Sequence, residues 1–367
     1  MTLYTKTYIR PFTHVLTTPI SISLSYFWNL GSILGLVLIN QLLTGLFLVI
    51  FYTRDATLAF IRVEYIIRET NSGWLLRLIH FNGASLFFLC LFLHIRRGII
   101  LGRFRLWKPW TTGILLFACV IGEAFIGYVL PWGQISVWGA CVITSLLSVI
   151  PFIGETVVVW VWGGFVVNSA TLGCFFILHY LLPFIILVII ILHILFLHET
   201  GSSSSCGRRD RDSKIKFFPY FIIKDLINLS LFSLFISFCC LLPFTLGDCE
   251  NLKEANLIRR PIHIQPEWYF LLAYAILRAI PNKLGGVIAL LLSIVAIWAL
   301  CALPSSPQTN YTCLYLFFFS LLRATTVTLT FLGASPVEPP FIFFRQLLTG
   351  RYFLLLFCLF ALSAFLF

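Results

Sequence analysis

At 367 residues, with 60% hydrophobic and only 11% charged side chains, the chain lies far outside the composition of a water-soluble domain, which leaves a polytopic membrane protein. The formal net charge of +11 invites a nucleic-acid partner. The basic residues sit in short stretches between apolar runs, however, so membrane topology accounts for them and no nucleic acid is expected.

Eight apolar stretches are long enough to span a bilayer, near residues 28–52, 74–95, 110–130, 172–198, 226–247, 284–304, 311–334 and 346–367. The expected fold class is an all-α membrane protein with eight transmembrane helices. Residues 1–27 mix polar and aromatic side chains without a short apolar core and cleavage site, so the first span is expected to direct insertion. Eight spans put the N-terminus and the segments near 96–108 and 199–225 on one side. Basic residues nearly balance across the two faces. The dense cluster Arg96, Arg97, Arg103, Arg105 and Lys108 orients the N-terminus toward the cytoplasm or mitochondrial matrix. The 11 cysteines are scattered, with no Cys-x-x-Cys pair for zinc and no Cys-x-x-Cys-His for covalent haem, and read as small interior residues.

The first span carries Gly31 and Gly45, and the second carries His80 and His94. The third repeats the glycine interval with Gly113 and Gly127, and the fourth repeats the histidine interval with His179 and His193. In every case the separation is 14 residues. At about 100° per residue that interval returns to within roughly 40° of one helix face, and at about 1.5 Å per residue it spans roughly 21 Å. Two such histidine helices facing each other offer two stacked bis-histidine sites, the geometry of two buried haems. A single histidine in an apolar helix is ordinarily a hydrogen-bonded interior residue. In a bilayer, ionisable groups are costly and mark function, and the repeated spacing selects ligation. A single glycine usually signals close helix packing; two pairs at the histidine interval suit flat macrocycle edges lying against bare backbone. Arg77 and Arg97 each lie one turn outside a histidine, toward the nearer surface, where they can pair with haem propionates.

After the third span, Gly-Tyr-Val-Leu-Pro-Trp-Gly-Gln (127–134) leads into amphipathic stretches too short to cross the bilayer, which are expected to lie along the surface as a lid. Pro183, in the fourth span, lacks the N–H that would bond the His179 carbonyl, so a bend is expected there. Beyond it, His198 and the pair Lys224 and Asp225 fall at one membrane level. They are either interface anchors or a set able to deliver protons to a ligand beside the inner site. The long loop 248–283 holds Pro266-Glu267-Trp268-Tyr269, where Glu267 suits a helix first turn and becomes a candidate proton acceptor if a haem lies against it.

These motifs, with Ala-Ile-Pro-Asn-Lys-Leu-Gly-Gly (279–286) and Pro-Val-Glu-Pro-Pro (336–340), closely resemble the cytochrome b family of respiratory complex III over nearly the whole chain. The resemblance implies an N-terminal dihaem four-helix bundle (1–210) and a C-terminal four-helix region with the quinol-site loop (211–367). It implies two non-covalent b-type haems, a low-potential one held by His80 and His179 and a high-potential one held by His94 and His193. Ubiquinol would be oxidised in a pocket bordered by Phe125, Tyr128, Trp138, Gly139, Pro266, Glu267 and Tyr269. Quinone would be reduced near His198, Ser202, Lys224 and Asp225. The implied partners are the Rieske iron-sulfur protein, cytochrome c1 and other complex III subunits in a homodimeric complex. The implied setting is the mitochondrial inner membrane, with the N-terminus on the matrix side and cytochrome c as final acceptor.

The sequence departs from the family pattern at Val159, where acidity is usual, at Asn168 for Asp, at Cys174 for Arg, and at Phe218 for His. The first three remove charge near the outer haem, and the fourth affects proton uptake on the matrix side. Glu123 and Arg323 fall inside spans, so each is expected to need a neutralising partner, a lipid or an accessory subunit. Two other functions would use some of these features: a transporter with intramembrane histidines as a proton relay, and the dihaem membrane anchor of another quinone-linked dehydrogenase. The first calls for inverted-repeat symmetry, which the sequence does not display, and the second would lack the Pro-Glu-Trp-Tyr loop.

Overall fold

The computed structural model describes residue 17 and residues 19–202, 214–262, 264–302 and 313–365. Among them, eight helices are long and apolar enough to cross a membrane, as expected. The helices, in chain order, are α1 (Leu30–Val49), α2 (Ala59–Glu69), α3 (Gly73–Ile100), α4 (Trp107–Val129), α5 (Gln134–Thr144), α6 (Gly154–Trp162), α7 (Ser169–Thr200), α8 (Tyr220–Asp225), α9 (Ile227–Leu241), α10 (Leu271–Ala279), α11 (Lys283–Ala299), α12 (Cys313–Ala334) and α13 (Phe341–Phe365). The spans start and stop a few residues from where hydropathy alone sets them; the fifth opens at Tyr220, ahead of the expected 226. The polar, amphipathic α2 is unforeseen and packs on α3.

Apolar side chains surround these helices on most sides, because lipid and helical neighbours are equally apolar and only backbone satisfaction and packing select the arrangement. In the N-terminal half, α1 packs along α3 and α4 along α7. The two pairs share a buried core that includes Val37, Phe88, Val120 and Ile186, and a cavity lined from all four helices lies between them. α7 continues through Pro183 without interruption, and Asn168 caps its start by accepting the Ala170 N–H at 2.7 Å, with Thr171 completing a capping box. The Asn in place of the usual Asp therefore still does the work of a helix cap.

A second core joins the two halves of the chain. Ile99, Phe104, Trp110 and Ile114 from the second and third spans and their connection pack with Ile276, Leu300, Phe319 and Leu355 from the C-terminal helices. On one membrane face a short antiparallel ladder pairs Pro19–Ser21 with Lys214–Lys216. This joins the segment before α1 to the one after α7, as an even number of spans between them requires.

On the opposite face, α5 is fastened to the loop that follows α9. The Gln134 amide donates to the Lys253 carbonyl at 3.0 Å, its side chain donates to the Arg259 carbonyl at 2.5 Å, and its Oε1 accepts the Asn256 N–H at 2.7 Å. Ser136 donates to the Tyr128 carbonyl at 2.6 Å. The expected lid is thus clamped by polar groups that would otherwise be buried unpaired.

Candidate functional site

The four histidines meet in two stacked pairs. His80 on α3 faces His179 on α7 with ring centroids 6.3 Å apart, and His94 faces His193 on the same two helices at 6.4 Å. These distances can be tested against a bound macrocycle. An imidazole nitrogen binds a metal at about 2.0–2.1 Å and its ring centroid lies about 1.1 Å further back, so two axial imidazoles on one iron have centroids about 6.3 Å apart. Both pairs fit.

Three of the rings are also turned the right way chemically. Thr44 donates its hydroxyl to the Asn40 carbonyl at 2.6 Å, so its contact with His80 Nδ1 at 2.9 Å must be one it accepts. Thr112 likewise donates to the Lys108 carbonyl at 2.9 Å and accepts from His193 Nδ1 at 3.0 Å. His179 Nδ1 lies 2.7 Å from Glu123 Oε1. Each Nδ1 then carries the proton and each Nε2 keeps a lone pair for a metal. Neither threonine carries a signal in the sequence; a hydroxyl one position from a glycine opposite the histidine is visible only in the fold. The Glu123 contact gives the carboxylate a hydrogen-bond donor within the chain, where a lipid or subunit partner was expected. Arg323 is exposed on α12.

The glycines sit opposite the rings. A Cβ at Gly45 would lie 3.2 Å from His80 Cε1, at Gly113 3.3 Å from His193, and at Gly31 3.7 Å from His94. At Gly127 it would overlap the His179 ring. Each glycine is therefore a point of close backbone approach to a histidine.

Arg77 lines the cavity around the His80–His179 pair, with its guanidinium 5.4 Å from the Phe81 ring centre. Arg97, one turn beyond His94, donates to the Phe27 carbonyl at 2.9 Å and lies 5.7 Å from the Trp28 ring centre. Its guanidinium is thus partly committed to the segment before α1.

The cavity between the helix pairs is lined by Gly45, Arg77, His80, Glu123, Gly127, Tyr128, His179 and Tyr269, within an otherwise mainly apolar wall. Tyr269 is buried and stacked on Phe88, with centroids 4.3 Å apart and planes 3° from parallel. Glu267 stands at the start of the turn over residues 268–270 and makes no capping bond. It is only 7% exposed and its Oε1 has no hydrogen-bond partner. Burial pushes this carboxyl up to about 7; the nearby Tyr128 hydroxyl opposes the shift and the Asp248 carboxylate adds to it. Tyr128 and Glu267 influence one another without reaching hydrogen-bond geometry, and both keep an unpaired oxygen. Trp138 donates to the Asn256 carbonyl at 3.3 Å, and a methyl at Gly139 would meet nothing within 4 Å. Phe125 packs edge-on against Phe175. Phe125, Trp138, Gly139, Pro266 and Glu267 stand outside the lining of the histidine cavity, while Tyr128 and Tyr269 belong to it.

On the other face, Asp225 accepts the Ser32 hydroxyl at 2.7 Å and Lys224 donates to the Leu24 carbonyl. Asn29 donates to the Lys224 carbonyl at 3.0 Å, and Asn228 donates to Ser32 at 2.9 Å. The pair is therefore held by the first turn of α1 and the segment leading into it. His198 is exposed near the end of α7 and Ser202 is half-buried just past it; among the described residues, neither hydrogen-bonds Lys224 or Asp225. Of the departures from the family pattern, Val159 and Phe218 are exposed, and Cys174 packs beside Phe175 and Leu172.

Fold and geometry together define a multi-pass helical membrane protein with two facing imidazole pairs inside its bundle. A family model described as "Cytochrome b/b6/petB" matches residues 15–201, and one described as "Cytochrome b(C-terminal)/b6/petD" matches residues 254–353. A solved chain titled "Hyperthermophilic respiratory Complex III" is similar at TM-score 0.87 and 28% identity, with 98% of this chain and 98% of that chain covered. The chain belongs to the cytochrome b family, the haem b-binding membrane subunits of bc complexes.

Proposed function

We propose that this chain holds two b-type haems and forms the quinol-oxidising and quinone-reducing core of a bc complex that passes electrons on toward cytochrome c. The observation that carries the reading is the pair of 6.3 and 6.4 Å imidazole separations, backed by three rings whose Nδ1 protons are already spoken for. When bound between such rings, haem iron is saturated by nitrogen ligands and supplies one-electron transfer, not ligand activation.

The chain's own residues do the rest. His80 and His179 hold the outer group, His94 and His193 the inner one, and the four glycines leave room for macrocycle edges. Arg77 and Arg97 stand where propionates would emerge.

Bound quinol is neutral, so it needs a mostly apolar pocket with a few polar groups, which Phe125, Tyr128, Trp138, Gly139, Pro266 and Tyr269 supply. Glu267 takes a proton from the quinol hydroxyl: burial raises its carboxyl to about 7 and its Oε1 has no hydrogen-bond partner. Tyr269 stays a neutral phenol, since burial raises it well above its ordinary range. On the other face His198, Ser202, Lys224 and Asp225 orient quinone and bring protons to it. Releasing protons on one side and taking them up on the other contributes to proton translocation.

In this reading the partners are a Rieske iron-sulfur protein and cytochrome c1 within a homodimeric complex. The membrane is the mitochondrial inner membrane with the N-terminus toward the matrix, and the quinone is ubiquinone. The match over residues 254–353, which includes the Pro-Glu-Trp-Tyr loop, favours this over the anchor of another dehydrogenase. Inhibitor titration of quinol-dependent cytochrome c reduction in the isolated complex tests it. Two independent inhibitor sites are expected, one abolished by changes at Glu267 and the other by changes at Asp225; a single site would overturn the reading.

A further inference from the structure

The two pairs of imidazoles are not supported alike. His80 and His193 give their Nδ1 protons to neutral threonine hydroxyls, whereas His179 gives its proton to a carboxylate. Glu123 reaches this position because it lies one turn before Gly127 on α4, the point of closest approach between α4 and the His179 ring. Its Oε1 is 2.7 Å from Nδ1, and its second oxygen is buried with no partner at all. No other donor shares the charge, so the full acceptor strength of the carboxylate falls on one imidazole.

A carboxylate behind a metal-bound imidazole draws the Nδ1 proton toward itself, makes the ring a stronger donor and favours the more oxidised metal. We propose that Glu123 is a positioning and tuning residue that selectively lowers the midpoint potential of the outer haem through His179. The inner haem, backed only by the Thr112 hydroxyl, keeps the higher potential. Glu123 thereby adds to the downhill step from the outer to the inner site. Because Glu123 also fixes the ring plane of His179, the same contact orients the ligand.

The inference rests on the dihaem reading above, and its test separates the two. Both haems are titrated in the assembled complex in membranes by difference spectroscopy at set potentials, for the parent chain and for E123Q, which keeps the shape and removes the charge. The ferric preference of the outer haem should fall on the order of tenfold, a rise of about 59 mV for a one-electron couple, with the inner haem unmoved. E123D, which keeps the charge but draws it back by a methylene, should give a smaller rise and carries the test if E123Q fails to assemble. The low-spin electron paramagnetic resonance signal of the outer haem should shift in both variants while that of the inner haem stays. An unchanged outer potential with both haems bound would overturn the role of Glu123, as would equal shifts of the two haems. Loss of the outer haem from both variants would make Glu123 a structural support and likewise overturn it. Absence of any b-type haem in the parent complex would instead bring down the dihaem reading.

Discussion

Gly127→Ala places a methyl group inside the His179 ring's present position. The added Cβ would lie 2.9 Å from Nδ1 and 3.1 Å from Nε2, and closer still to Cε1. Ordinary contact between such atoms begins near 3.5 Å, so the ring must retreat by at least about half an ångström. Metal–ligand distances tolerate only about 0.2 Å. The ring also cannot retreat freely, because the Glu123 carboxylate is fixed on the same helix as the new methyl. Overpacking of this kind costs about 1–3 kcal/mol in a packed site, and here it falls on the ring proposed to hold the metal. The prediction is loss of the outer haem with the inner one retained, read as a halving of the ratio of b-type haem to this chain in the purified complex. The glycine series grades the effect: Gly45→Ala and Gly113→Ala, at 3.2 and 3.3 Å, should weaken retention or broaden the spectrum, and Gly31→Ala, at 3.7 Å, should be near neutral. Full haem content with unaltered bands in Gly127→Ala would refute the claim that bare backbone is needed there.

His80→Ala removes the other proposed ligand of the same pair and should leave one b-type haem per chain and no quinol oxidation; two retained b-type haems would reassign the ligands. Glu267 titrates near 7, and a proton acceptor works only when deprotonated, so quinol oxidation should climb as pH rises through about 7 and then level. Glu267→Gln should abolish that limb of the pH–rate profile and slow the reaction on the order of a hundredfold; an unchanged profile would remove Glu267 from the proton path. Gly139→Ala adds a methyl into open space, so the complex should assemble normally. Binding of inhibitors that mimic a quinol head group should weaken at least several-fold in that variant, and equal inhibition would move the pocket wall elsewhere.

The spans were legible because bilayer thickness sets a length that few other structures demand of an apolar run. The histidine pairs were legible for a similar reason: helical periodicity turns a 14-residue interval into a shared face, and the structure places the four rings as that interval requires. What the sequence concealed is mostly contact between distant segments. Glu123 and His179 are 56 residues apart, and Gln134 and Arg259 are 125 apart. No periodicity links such pairs; only the packing of α4 on α7 and the clamp on α5 brings them together. The helix α2 was hidden by its mixture of charged and apolar residues, which reads as a loop when the search is for long apolar runs. Pro266-Glu267 reads as the first turn of a helix; that turn is 3₁₀, and the carboxylate faces the interior without capping it. The cost of that unpaired carboxylate is the clearest sign of use that the fold adds to the loop.

The central claim is that each chain holds two b-type haems between its paired imidazoles. A pyridine haemochromogen assay on the purified complex, combined with a reduced-minus-oxidised spectrum and a count of the chain, tests it directly. Two b-type haems per chain are expected, as two resolvable components that titrate at different potentials. A single b-type haem per chain, or none, would contradict the dihaem reading.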